Sequence, residues 1–283
     1  MDKLKLVLLS GLLGAGKTTA LLSFEEQGYQ TIMDLPGELL PSLLLLILNH
    51  PQVYQKTAVS VPIVDLAKAV DAVRSDSRFE LLSIGLTAGR DELRRRYRLT
   101  RHTHPLESKG LSKEECLDRD QAAFEKCRPA FDYVVDTSFL SNVELKERLS
   151  SLVGEKGPAI LFESFGFQYG LPLDADVVLD ARMVKNPYWV ESLRPLSGLD
   201  APVRSYIEED PLSEEFMKMA LEAAHLSYAS AIRDGRHLVV FAVGCSGGQH
   251  RSVYFASRLH EEFKEGKSLI FHREEKRHGH YGR

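Results

Sequence analysis

Cysteine is scarce in this chain: Cys116, Cys127 and Cys245 are odd in number, and no C-x-x-C brings two together. That argues against a disulfide framework and a four-ligand zinc site, and makes a reducing cytoplasm the expected compartment. Long apolar runs are also missing. The longest, Leu43 to Leu48, is far short of the roughly 20 residues that span a bilayer, so no membrane role is expected. With 20 glycines and 12 prolines in 283 residues, the chain is neither collagen-like nor of low complexity. Nor is there a basic excess: 36 Lys and Arg against 40 Asp and Glu leave a net charge of −4. A globally basic nucleic-acid binder is excluded, though local basic patches are not. What is present is an ordinary folding composition, 43% apolar and 27% charged, long enough for two domains of roughly 150 residues each.

Apolar strands alternate with helical patterns through the first half, which implies a parallel sheet. Lys5 to Ser10, Gln30 to Met33, Ala58 to Val64, Leu81 to Leu86 and Tyr133 to Asp136 read as strands. The apolar N-terminal run Leu4 to Leu9 has no small-residue cleavage site and leads into a glycine loop, so it reads as a buried strand rather than a signal sequence. Gly154-Glu155-Lys156-Gly157-Pro158 is the best linker, giving expected domains of 1–154 and 155–283. Beyond it, strands at Ala159 to Glu163, Asp176 to Asp180 and His237 to Val243 precede a loop, Gly244 to Arg251, and a helix from Ser252 to Phe263. Each half thus carries one strand–glycine loop–helix element.

In the first half that element reads Gly11-Leu12-Leu13-Gly14-Ala15-Gly16-Lys17-Thr18, a full G-x-x-x-x-G-K-[ST] between an apolar strand and a helix. Its glycines let backbone N–H groups converge on a phosphate chain at a helix N-terminus. Lys17 is then expected at the β- and γ-phosphates of ATP or GTP, and Thr18 on Mg²⁺. A second carboxylate for the metal is expected at a strand end. Asp34, Asp65, Asp136 and Asp180 all fit that pattern, so the choice stays open.

Arg90, Arg94, Arg95, Arg96, Arg98 and Arg101 crowd one helical stretch, with Arg94, Arg98 and Arg101 on a single face. They read either as a lid that closes over a transferred phosphate or as a solvated basic face balanced by Asp91 and Glu92. In the second half, Val243 to Ser252 puts three glycines, two hydroxyls and a cation between a strand and a helix, again an anion cradle. Cys245 and Arg251 also have the C-x-x-x-x-x-R spacing of cysteine phosphatases. The favoured reading of Cys245 is a buried, inert member of a phosphate-binding loop. The tail from His272 to Arg283 is basic and reads as a solvated, disordered end with some capacity for RNA phosphates.

The P-loop, Gly28 to Pro41, Arg94 to Leu106, Glu163 to Pro172, Asn186-Pro187-Tyr188-Trp189, Leu193-Arg194-Pro195 and Gly244 to Ser252 together resemble the bacterial RapZ (YvcJ-like) family of nucleotide-binding RNase adapters. The resemblance covers nearly the whole chain. It implies a P-loop kinase-like parallel-sheet α/β domain followed by a second α/β domain, with weak ATPase and GTPase activity in the first. It further implies that the second domain binds glucosamine-6-phosphate and RNA, with small RNA and an RNase as partners of a homo-oligomer.

By position, Asp180, Arg182, Tyr188, Ser246, Gly247, His250 and Arg251 correspond to the phosphosugar pocket. Tyr188 stands where enteric members carry histidine, and Gln249 where lysine is usual. The family's Asp-Asn-Leu-Pro reads Met33-Asp34-Leu35-Pro36 here. The Asp-x-Arg-Asn of the second nucleotide motif, the GTP position, reads Pro62-Ile63-Val64-Asp65, so hydrolysis is expected to be slow, with Asp65 standing in for the lost carboxylate. The rival readings are a small-molecule P-loop kinase and a cysteine phosphatase built on Cys245.

Overall fold

The computed structural model describes residues 3–100, 104, 106–107, 110–153 and 158–278. Its contacts divide the chain into two compact units, Met1–Ser150 and Ser151–Arg283. The proposed linker at Gly154 to Gly157 lies outside the described residues.

The first unit is built on β1 (Leu4–Gly11), whose residues Leu6 to Leu9 are almost wholly buried. A strand buried on both faces needs helices on both sides, which parallel crossovers supply. The helices α1 (Lys17–Glu26), α2 (Leu40–Asn49), α3 (Leu66–Arg74), α4 (Arg90–Thr100), α5 (Lys113–Cys127) and α6 (Asn142–Leu152) alternate with β2 (Gln30–Ile32), β3 (Lys56–Ser60), β4 (Phe79–Thr87) and β5 (Tyr133–Asp136). The five strands lie in the order β2-β3-β1-β4-β5, all parallel. The carboxyl end of β1 therefore sits centrally, and the P-loop emerges there.

Two expectations change in this unit. The third strand, expected to run to Val64, ends at Ser60, because Pro62 has no N–H for a ladder. Pro62 to Asp65 instead form a turn into α3, with Asp65 at its N-cap position. The helix α5, unforeseen, is opened by a capping box in which Ser112 and Glu115 exchange hydrogen bonds.

The second unit holds β6 (Ala159–Gly166), β7 (Val177–Asp180), β8 (Leu238–Cys245) and β9 (Lys267–His272) in the order β7-β8-β6-β9, again all parallel. Helices α7 (Ala201–Glu208), α8 (Pro211–Arg233) and α9 (Arg251–Glu262) cover it, and Phe162, Phe241 and Phe255 fill its core. The tail is not a solvated end over its described part. Arg273 and Glu274 are buried and form an ion pair at 2.7 Å, and α10 (Glu275–His278) follows.

At the end of β9, Ser164 Oγ meets His272 Nδ1 at 2.8 Å and Ser257 Oγ meets Nε2 at 3.3 Å. Burial, aided by His260, pushes the His272 imidazole down from 6.5 to about 4. Below the unfolded value the unfolded chain takes up a proton that the folded chain refuses, so stability falls as pH drops from 6.5 toward 4. Urea unfolding should show a loss of about 2 kcal/mol between about pH 7.5 and about pH 5 from this group alone. His272→Gln should flatten that dependence; an unchanged pH profile in the variant would refute the assignment.

Candidate functional site: a phosphate cradle in each unit

The first cradle follows β1. Gly11 has φ +153, and a Cβ there would lie 2.2 Å from Leu86 O, so the close passage of β1 past β4 admits only glycine. Gly16, left-handed at φ +100, occupies the N-cap of α1. The loop's carbonyls are held by the protein. Lys17 Nζ donates to Gly11 O at 3.1 Å and Leu12 O at 3.3 Å, Tyr97 Oη to Leu13 O at 2.9 Å, and Arg96 Nη1 to Gly14 O at 3.0 Å. Thr137 Oγ1 lies 3.0 Å from Ala15 O and accepts from Arg96 Nη1 at 2.9 Å. The Leu12 and Ala15 N–H groups are spent on Leu86 O and Leu12 O, at 3.0 and 3.1 Å. With the carbonyls engaged, the N–H groups of the first turn of α1, which lack intrahelical acceptors, face an anion.

Burial pulls the Lys17 ammonium below its ordinary value, and Asp34 and Asp120 pull it back up. The structure thereby separates the four candidate carboxylates. Asp34 lies within electrostatic reach of Lys17 and is exposed, in a left-handed turn at φ 50, held by Ser60 Oγ. Asp65, expected to replace the lost carboxylate, instead accepts from the Gly37 N–H at 3.2 Å. Asp136 caps its own turn through Ser138 N and Oγ, and Asp180 belongs to the other unit. Thr18, exposed in the first turn of α1, and Asp34 fit a Mg²⁺ that takes most of its ligands from phosphate and water. Among the described residues no group of three or more His, Cys, Asp and Glu forms a separate cation cage.

Beside the loop is a cavity of about 490 Å³, lined by Gly14, Gly16, Thr19, Tyr97, Ser141 and Asn142 among others. Arg95 and Arg96, offered by the sequence as part of a lid, line it too, whereas sequence reasoning missed the side that follows β5. Its walls come from α4 and from the connection between β5 and α6, far from the motif in sequence. The arginines of α4 divide. Arg90 pairs with Glu114 and Asp118, Arg94 with Glu114 and Asp91, and Arg95 with Glu92. Arg96 ties α4 to the loop through Gly14 O and Thr137. Arg101 of the proposed lid face lies outside the described residues.

The second cradle follows β8. Gly248, at φ +75, leaves no room for a Cβ, which would stand 2.6 Å from Glu274 Oε2. Glu274 in turn accepts from Gly166 N at 3.0 Å, Arg273 Nη2 donates to Gly170 O at 2.7 Å, and His278 Nε2 meets Gly247 O at 2.9 Å. The tail therefore braces the loop. Cys245, which ends β8, is 3% exposed, and Arg251, which opens α9, is 4% exposed.

Arg251 Nη1 donates to Arg182 O at 3.1 Å and Val184 O at 2.9 Å, while its buried Nε has no partner among the described residues. Burial lowers the Arg251 guanidinium from its ordinary range, and the Cys245 sulfur and Asp180 oppose that. Asp180 is ion-paired with Arg182 at 2.7 Å, which holds its carboxyl below the usual range, and the Arg182 guanidinium lies 4.3 Å from the centre of the Phe167 ring. Asp180, Arg182, Cys245 and Arg251 are thus neighbours, as their spacing across the sequence did not reveal.

Two expected pocket residues have other partners. His250 is buried and sets Nε2 3.2 Å from Leu193 O, bracing the 193–196 segment; burial lowers its basicity. Tyr188 is half-exposed under the Arg194 guanidinium at 4.9 Å. Gln249, in place of the family's lysine, donates to Arg194 O and Leu196 O at 3.2 and 2.8 Å, so it anchors that segment rather than supplying a charge.

Comparison with known proteins shows the family of the chain. A nucleotide-binding protein of Thermotoga sp. strain RQ2 is 37% identical over 270 residues, covering 94% of this chain and 96% of its own. A nucleotide-binding protein of Pasteurella multocida strain Pm70 is 36% identical over 275 residues, covering 94% of each. Among solved structures, the shikimate kinase of Bacteroides thetaiotaomicron overlaps 52% of this chain and 97% of its own at 18% identity and a TM-score of 0.38, too distant to bear on function. Residues 4–157 match the RapZ-like N-terminal domain and residues 158–276 the RapZ C-terminal domain. From end to end, then, this two-cradle chain belongs to the RapZ-like family.

Proposed function

We propose that the protein is a nucleotide-binding regulator: residues 1–154 bind ATP or GTP with Mg²⁺ and hydrolyse it slowly, and residues 155–283 sense an amino-sugar phosphate and contact RNA. The observation that carries the first half is the P-loop whose carbonyls are all turned to protein donors, beside a cavity of about 490 Å³. The triphosphate takes the N–H groups, Lys17 the terminal phosphates, Thr18 and Asp34 the metal, and the base the cavity. The bound Mg²⁺ supplies charge neutralisation of the phosphate oxygens. Asp65 is engaged by Gly37, which agrees with slow turnover.

The second half rests on the buried Arg251 Nε that lacks a partner beside the loop Ser246 to His250, together with Arg182. Family relatives carry the name nucleotide-binding protein, and glucosamine-6-phosphate is the ligand the family resemblance suggests. RNA contact falls to fewer cations than the sequence offered. Arg251 and Arg273 are buried, and Arg258 is engaged by Glu214 and Glu262. Lys264, Lys267, Lys276 and Arg277 remain exposed.

One experiment separates this reading from a kinase. Incubated with ATP, Mg²⁺ and glucosamine-6-phosphate, the full chain should bind the sugar phosphate and return it unchanged. ATP consumption stoichiometric with a newly phosphorylated sugar would establish the kinase instead. In the same preparation a small RNA should bind more weakly as salt rises, the logarithmic slope growing by about 0.7 per phosphate neutralised. Salt-independent binding would remove RNA from the function.

A further inference from the structure

The Cys245 sulfur has surroundings that holding a phosphate does not by itself require. Gly248 N–H donates to Sγ at 3.3 Å, and Ser252 Oγ lies 3.1 Å from it. It sits at the N-terminus of α9, a helix of 12 residues. The guanidiniums of Arg251 and Arg182 both lie within electrostatic reach of the sulfur. Donors and positive charge thus surround the sulfur beside the loop. The other two cysteines differ. Cys116 is fully buried, and burial pushes its thiol up, while Cys127 Sγ donates its proton to Ile63 O at 3.2 Å.

We propose that Cys245 is a nucleophile that accepts a phosphoryl group, making the second cradle a hydrolase of phosphates with stable anionic leaving groups, acyl or aryl phosphates. The proposal rests on the reading of this loop as a phosphate cradle and goes beyond ligand sensing. The thiolate attacks phosphorus; an S–P bond forms, and the bond from phosphorus to the carboxylate or phenolate oxygen breaks, the leaving group keeping the electron pair. Water then attacks phosphorus, the S–P bond breaks, and inorganic phosphate leaves with the thiolate restored; the proton that water sheds passes to phosphate or solvent. Loop N–H groups and the free Arg251 Nε hold the phosphoryl oxygens during both steps.

The same cluster sets the substrate class. Asp180 is kept ionised by Arg182; burial pushes the Glu274 carboxyl up, yet both its oxygens are turned away to the Arg273 guanidinium and the Gly166 N–H. Neither offers a proton to a poor leaving group. An alkyl ester such as glucosamine-6-phosphate therefore occupies the cradle without being cleaved and inhibits competitively.

The test uses the full chain without nucleotide, with acetyl phosphate and p-nitrophenyl phosphate as probes. Expected are turnover of both probes, competitive inhibition by glucosamine-6-phosphate, and a one-phosphoryl mass increase on the Cys245 peptide after acid quench. Cys245→Ser should lose turnover and the adduct while still binding glucosamine-6-phosphate. Equal turnover in Cys245→Ser, or an unmodified Cys245 peptide and no turnover in the parent, overturns the proposal. If the latter protein binds the sugar phosphate, the sensing reading survives alone. Turnover and adduct without sugar-phosphate binding sustain the nucleophile and discard the sensor. Should the serine variant fail to fold, the parent's adduct and its blockade by iodoacetamide, relieved by inorganic phosphate, decide the matter.

Discussion

Replacing Lys17 by alanine is expected to lower ATP and GTP affinity by at least about a hundredfold, because a charge-assisted contact to phosphate contributes on the order of 1.5–3 kcal/mol and Lys17 makes more than one. The same change should not destabilise the nucleotide-free protein. Burial already lowers the Lys17 ammonium, so the folded state carries a desolvated cation that donates to the Gly11 and Leu12 carbonyls. Removing that cation relieves the cost, and Leu12 O keeps a donor in the Ala15 N–H. Affinity thus falls while the melting temperature holds, which a general loss of fold would not produce. Calorimetric titration with ATP and GTP, beside a thermal melt of the free protein, reads both. Unchanged nucleotide affinity in a folded Lys17→Ala protein would sink the nucleotide site.

The second large effect is expected at Arg251. Lysine keeps the charge but lacks the fork that satisfies Arg182 O and Val184 O through Nη1 while leaving Nε for an anion. Arg251→Lys should therefore weaken glucosamine-6-phosphate binding by about ten- to a hundredfold, the value of one hydrogen bond to a charged group. Nucleotide binding in the first unit should be untouched. Arg251→Ala should in addition lower stability, by roughly 1–3 kcal/mol for each buried carbonyl it orphans. The lysine variant is the cleaner test for that reason. Full sugar-phosphate affinity in the folded lysine variant would remove Arg251 from the pocket.

What the sequence determined by itself was local. A run from Lys5 to Thr18 contains its own strand, turn and helix start, so glycine conformation and helix-end chemistry make the P-loop legible without neighbours. The second strand–loop–helix was legible for the same reason, and the alternation of strands and helices implied the parallel sheets. Only tertiary structure decided the rest, because it depends on which groups meet across long separations. Asp34 and Asp65 look alike as acidic residues following apolar runs; they part only because Ser60 holds one near Lys17 while Gly37 occupies the other. Arg96 and its neighbours look alike on a helix until the P-loop and α5 choose among them. The tail reads as solvated charge until Glu274 meets Gly166 and His278 meets Gly247. A charge's role is set by its partner, and a partner about a hundred residues away leaves no local mark on the chain.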